Sequence, residues 1–140
     1  MKVRAIDHVT LNVKDIKATI EFYGQVLGFR QLQTVPFEGF SLVYFQLPGG
    51  GRLELFDYGG KNPKGEHEES EAGLRHLAFE VDDVDAAEKH LRSHGVPITL
   101  SATDLPTLGS RAILFLDPNG VTLEFCAPLA ASQAGRPAAG

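Results

Sequence analysis

The sequence predicts an α+β protein made of two tandem βαβββ modules, with strands joined into a curved, cup-shaped mixed sheet and the helices on its outer face. Three observations predict this. Ile6-Asp-His-Val-Thr-Leu-Asn-Val-Lys-Asp-Ile16 and Leu74-Arg-His-Leu-Ala-Phe-Glu-Val-Asp-Asp-Val84 share one pattern, each with a His at its third place and an Asp before its last residue. Arg52-Leu-Glu-Leu-Phe56 is answered by Thr122-Leu-Glu-Phe-Cys126. His8 to His76 spans 68 residues and Glu54 to Glu124 spans 70, so the likeness is one internal repeat rather than two coincidences.

The elements follow in order. Residues 3–13 read as a first strand, because Val9, Leu11 and Val13 alternate with His8, Thr10 and Asn12 and so put the two sets on opposite faces. Residues 15–27 read as a helix: Asp15 is suited to cap it, and Ile16, Ile20, Tyr23 and Leu27 form a stripe at spacings of four, three and four. Gly28 stands where a left-handed C-terminal cap is wanted. Residues 29–35 and 40–47 are the next strands, and Pro48-Gly-Gly-Gly51 turns the chain into a strand at 52–57 that carries Glu54 between Leu53 and Leu55.

Residues 58–73 are polar, with a Glu66-His67-Glu68-Glu69 cluster, and form the expected connection between modules. The second module repeats the order. A strand at 74–81 has Leu77, Phe79 and Val81 on one face; a helix at 84–94 follows Asp83, with Val84, Ala87 and Leu91 on one side; a strand is expected at 97–100. Strands at 111–116 and 121–126 make a last hairpin around Asp117-Pro-Asn-Gly120, whose Asn and Gly tolerate positive φ. The Ala-, Gly- and Pro-rich tail at 130–140 is expected to be disordered. The expected organisation is one domain over residues 1–129, built from modules 3–57 and 74–127.

Composition narrows the partners. The 140 residues suit one domain, and 43% apolar with 22% charged is ordinary for a soluble globular chain. A net charge of −5 without a Lys/Arg cluster argues against nucleic acid or an anionic membrane surface and for a small molecule. The lone Cys126 excludes an intramolecular disulfide, and with no N-terminal apolar run a cytoplasmic location is expected.

Four residues carry the chemistry. With the modules side by side, His8, Glu54, His76 and Glu124 all point to the inner face, with Thr10, Asn12, Phe56 and Thr122 among them. A single His on the polar face of a strand is ordinarily a hydrogen-bonded surface residue. Two His/Glu pairs at matching places in a repeat point instead to a divalent first-row metal, because two imidazoles and two carboxylates suit Ni, Zn, Mn, Co or Fe, whereas calcium wants oxygen alone. Four protein ligands leave positions for substrate oxygens, which Lewis-acid catalysis needs. His67 reads as solvated; His90 and His94 are four apart but fit an exposed flank; Cys126 shares the face of Glu124 and reads as a small buried hydrophobe.

Asp7-His-Val-Thr-Leu-Asn-Val13, with Phe22-Tyr23 and Leu27-Gly28-Phe29, then Leu74-Arg-His-Leu-Ala-Phe-Glu-Val81, then Phe115-Leu-Asp-Pro-Asn-Gly-Val-Thr-Leu-Glu-Phe125, resembles the vicinal oxygen chelate superfamily. That group holds glyoxalase I, fosfomycin-resistance thiol transferases, extradiol dioxygenases, methylmalonyl-CoA epimerase and metal-free bleomycin-binding proteins. The resemblance covers residues 3–127 and implies paired βαβββ modules around a metal, commonly in a homodimer.

The set His8, Glu54, His76 and Glu124 is similar to that of bacterial glyoxalase I, which implies a metal-dependent lyase or isomerase stabilising an enediolate or similar oxyanion, with Glu54 or Glu124 as general base. Those enzymes carry an Arg and an Asn toward glutathione at positions that are Asn12 and Tyr58 here, which argues against a glutathione substrate. Thr10, Asn12, Phe56, Tyr58, Arg111 and Thr122 are the expected substrate pocket. An extradiol-type dioxygenase or fosfomycin-type thiol transferase, and a non-catalytic binding protein of the bleomycin-resistance type, are the competing expectations.

Overall fold

The computed structural model describes residues 1–62, 68 and 70–129. His67, most of the acidic cluster around it and the 130–140 tail lie outside the described residues. The chain divides into two compact units, Met1–Gly65 and Glu66–Gly140, and the division falls inside the connection expected at 58–73.

In the first unit the order is β1 (His8–Val13), α1 (Ile16–Glu21), β2 (Gln31–Phe37), β3 (Phe40–Gln46) and β4 (Arg52–Asp57). The sheet runs β1-β4-β3-β2. β1 lies parallel to β4 in the register His8 to Arg52 and Thr10 to Glu54, while β3 and β4 form the antiparallel hairpin that sets Tyr44 opposite Glu54. Asp15 caps α1 as expected, accepting from the Ala18 amide at 3.1 Å. The helix is shorter than the apolar stripe implies, because Phe22–Val26 widens into a π turn before Gly28 adopts φ 77°. Gly51 at φ +76° is required by contact: a Cβ there would stand 3.0 Å from the Ile6 carbonyl oxygen.

Alternation decides the two faces. Val13, Phe45, Leu53 and Leu55 are fully buried and pack with Tyr23 from the helical segment, whose ring lies 6.3 Å from that of Phe45. The residues between them, His8, Thr10, Tyr44, Glu54 and Phe56, therefore share the other face.

The second unit repeats the topology. β5 (Leu77–Glu80), α2 (Val84–Ser93), β6 (Ile98–Leu105), β7 (Ser110–Leu116) and β8 (Thr122–Pro128) form a sheet in the order β5-β8-β7-β6. Asp83 caps α2 through the Ala86 amide at 3.0 Å, and Val84 and Leu91 bury the helix against Ile113, Phe115, Leu123 and Phe125. Three strand boundaries differ from expectation by more than two residues. β1 starts at His8 rather than 3, and β5 at Leu77 rather than 74, because Val3, Ile6 and Leu74 remain largely exposed. β6 runs to Leu105 past the expected 100, because Thr103, Asp104 and Leu105 pair with Ala112, Arg111 and Ser110 despite an irregular register. Among the described residues no helix is long and apolar enough to cross a membrane.

Candidate metal centre

Each module brings one His and one Glu together by the same construction. The parallel pair sets the His two residues before the position facing the Glu: Thr10 faces Glu54, and Ala78 faces Glu124. His8 Nε2 stands 3.8 Å from Glu54 Oε1, and His76 Nε2 stands 2.7 Å from Glu124 Oε2. Among the described residues no group of three or more metal-capable side chains is found. The donor chemistry fits a divalent transition metal, since cis donors at bond lengths near 2.1 Å lie about 3 Å apart, between the two observed spacings.

The two pairs are supported differently. Glu54 is 8% exposed, and both of its oxygens are engaged: Thr10 Oγ1 donates to Oε1 at 3.0 Å, and the Tyr44 hydroxyl donates to Oε2 through a short hydrogen bond. That bond, with burial, raises the Tyr44 phenol above its usual range. His8 Nδ1 meets Asp7 Oδ2 at 2.7 Å. A carboxylate only accepts, so Nδ1 carries the proton, and Nε2 is the ring nitrogen turned toward Glu54. The hydrogen bond from His8, then that from Arg52 at 3.2 Å, holds the Asp7 carboxyl below its ordinary range. In the second module His76 Nε2 instead faces Glu124 directly, and the register puts Ala78 and Leu114 beside that carboxylate, where the first module has Thr10 and Tyr44.

The expected pocket residues separate. Thr10, Asn12 and Phe56 share the face of Glu54, and Tyr58 joins them through its ring, 6.0 Å from that of Phe56. Phe40 stacks 5.5 Å from Phe56, and Phe37 stacks 4.9 Å from Phe40 with its side exposed, so the face continues as a column of aromatic rings. Thr122 shares the face of Glu124 by alternation, as does Cys126, whose thiol lies 3.7 Å from the Phe79 carbonyl. Arg111 does not belong to that face. It pairs with Ala127, on the side of Leu123 and Phe125, and its guanidinium binds Asp85 of α2 at 2.8 Å and Asp104 at 2.9 Å. Those two carboxylates hold it on the helix side of the sheet, which corrects the expectation that it lines the pocket. His90 and His94 lie exposed at the end of α2, with His94 Nδ1 on the His90 carbonyl at 2.9 Å.

Tyr44 was not legible as a site residue, although a signal existed. Counting outward from the Pro48–Gly51 turn pairs Gln46 with Arg52 and so sets Tyr44 opposite Glu54.

Comparison with known proteins identifies the family. Residues 5–125 match the Glyoxalase/Bleomycin resistance protein/Dioxygenase superfamily, and the chain belongs to that family. An uncharacterized protein, YaeR of Escherichia coli, is 34% identical over 87% of this chain and 95% of its own length. Lactoylglutathione lyase of Haemophilus influenzae is 33% identical over 84% of this chain and 88% of its own. A glyoxylase/bleomycin resistance protein/dioxygenase domain from Frankia sp. EAN1pec superposes with a TM-score of 0.76 at 25% identity, covering 91% of this chain and 99% of that domain.

Proposed function

We propose that the protein is a divalent-metal-dependent lyase or isomerase acting on a small molecule that chelates through two oxygens. The observation that carries this reading is the His/Glu pair built twice by one strand register, His8 with Glu54 and His76 with Glu124. The four side chains would hold one Ni, Zn, Mn, Co or Fe ion, supplied by both modules of one chain or by modules of two chains in a homodimer. The similarity to lactoylglutathione lyase supports a lyase. When bound, the metal supplies Lewis acidity that polarises a substrate oxygen.

The residues divide the remaining work. Glu54, fastened by Thr10 and Tyr44, is the fixed carboxylate. Among the described residues Glu124 shows no such clamp, and it is the carboxylate that takes a proton from the substrate carbon and returns it. Thr10, Asn12 and Thr122 offer polar contacts around the reacting atoms. The rings of Phe40, Phe56 and Tyr58 favour a substrate with a planar apolar part. The same rings favour a second reading, a binding protein that sequesters an aromatic compound.

Metal content of protein purified without chelator or nickel affinity, wild type beside Glu54→Ala, separates these. About one metal per chain, lost in the variant, supports the four-ligand site. Metal retained by Glu54→Ala removes Glu54 from it and turns attention to dioxygenase and thiol-transferase chemistry. A wild type that takes no metal under any loading leaves the binding reading.

A further inference from the structure

Hydrogen bonds, a cation–ring contact and one longer approach link the residues around the first His/Glu pair into a circuit. Asp7 Oδ2 accepts from His8 Nδ1 at 2.7 Å and from the Arg52 guanidinium at 3.2 Å. Arg52 in turn lies over the Tyr44 ring, its Cζ 4.8 Å from the ring centroid, and the Tyr44 hydroxyl donates to Glu54. Glu54 Oε1 faces His8 Nε2 at 3.8 Å and completes the circuit. We propose that Asp7, Arg52 and Tyr44 are positioning residues that act as one ring, fixing the His8 tautomer and the Glu54 carboxylate so that the first module presents a preset donor pair.

The repeat supplies an internal control. At the positions matching Asp7, Thr10, Tyr44 and Arg52, the second module has Arg75, Ala78, Leu114 and Thr122. None of these can rebuild the circuit, since Ala78 and Leu114 offer no donor and Arg75 cannot accept from His76. His76 and Glu124 are left to contact each other. Among the described residues, one construction thus sets its donors through Asp7, Thr10 and Tyr44, and the other through the direct His76–Glu124 contact. Groups that orient ligands from behind commonly change metal affinity ten- to hundredfold when removed.

This inference rests on the metal reading above, and its test has one arm that does not. In metal-free protein labelled with 15N-histidine, at about pH 8 where an ordinary imidazole is neutral, the His8 resonances, assigned by comparison with His8→Gln, should report the Nδ1–H tautomer. Asp7→Ala should move them toward the Nε2–H form. Co(II) titration followed by calorimetry should then show Asp7→Ala and Tyr44→Phe each weakening binding by about ten- to hundredfold. The double variant should lose much less than the product of the two losses, as residues of one network do. Tyr44→Phe keeps the ring beneath Arg52, so far-ultraviolet circular dichroism should match wild type.

An unchanged His8 tautomer in Asp7→Ala overturns the ring. So do wild-type Co(II) affinities in both single variants, or losses that simply multiply in the double. A wild type that binds no Co(II) removes the metal reading instead, and the tautomer comparison then decides the ring by itself.

Discussion

Tyr44 stands directly across the β3–β4 hairpin from Glu54 and gives that carboxylate a hydrogen bond, whereas the residue across from Glu124 in the second hairpin is Leu114. Two modules with one backbone plan thus hold the same acid in different ways. Glu54 is a buried acid with built-in donors. Glu124 lies against apolar neighbours with a histidine for its partner.

Removing the Tyr44 hydroxyl leaves a buried carboxylate oxygen with one donor fewer. Tyr44→Phe is expected to lower the stability of the metal-free protein by about 1–3 kcal/mol, read as a lower urea midpoint at unchanged slope. Leu114→Ala, which removes no hydrogen bond, should leave the metal-free His8 tautomer as it is in wild type.

Arg111 ties β7 to α2 and β6 through Asp85 and Asp104. Its guanidinium, hydrogen-bonded to Asp85, holds that carboxyl below the ordinary Asp value of 3.8. The folded state then binds the Asp85 proton less tightly than the unfolded chain does. The resulting stability is fully present above the unfolded value and is lost as pH falls through the lower, folded one. Melting temperatures measured from pH 5 down to pH 2.5 should therefore fall less steeply for Arg111→Met than for wild type. Turnover of Arg111→Met should match wild type at neutral pH; a large rise in KM would put the side chain back in the pocket.

The second core depends on Leu123, fully buried between the candidate site residues Thr122 and Glu124. Leu123→Ala is expected to cost about 2–5 kcal/mol, measured by chemical denaturation. Because Leu123 sits next to Glu124 on β8, a loss of metal affinity should accompany the loss of stability.

Asp15 and Asp83 cap the two helices through the Ala18 and Ala86 amides. Replacing either by Ala should cost about 1 kcal/mol and leave metal stoichiometry unchanged. A cost near zero at Asp15 would mean that the π turn after α1, not its cap, holds that segment in place.

Much of this fold was legible because strand faces depend on a period of two. Leu53 and Leu55 around Glu54, and Leu123 and Phe125 around Glu124, assign core and site faces without any long-range information. The caps were legible for a similar reason, since Asp15 and Asp83 each stand just before an apolar stripe. The placement of Arg111 depends on a distant partner: Asp85 lies on α2, and nothing local announces that contact. Tyr44 carries no signal of its own within the apolar run of Phe40–Gln46, although the turn length fixes its partner. The π turn at Phe22–Val26 has no periodic signature of its own, because a single wide turn barely disturbs a stripe spaced by three and four.

Both modules also share a contact order. β2, β3 and β4 are joined by short turns, as are β6, β7 and β8, but His8 pairs with Arg52 and Leu77 with Leu123 across more than forty residues. Closing a long loop costs more chain entropy than closing a hairpin, so β1 and β5 are expected to dock after the rest of their sheets. Pulse-labelled hydrogen exchange should accordingly protect β3 and β7 amides before those of β1 and β5. Each histidine thus reaches its glutamate only when the final strand is home, and a donor pair in place certifies a finished module.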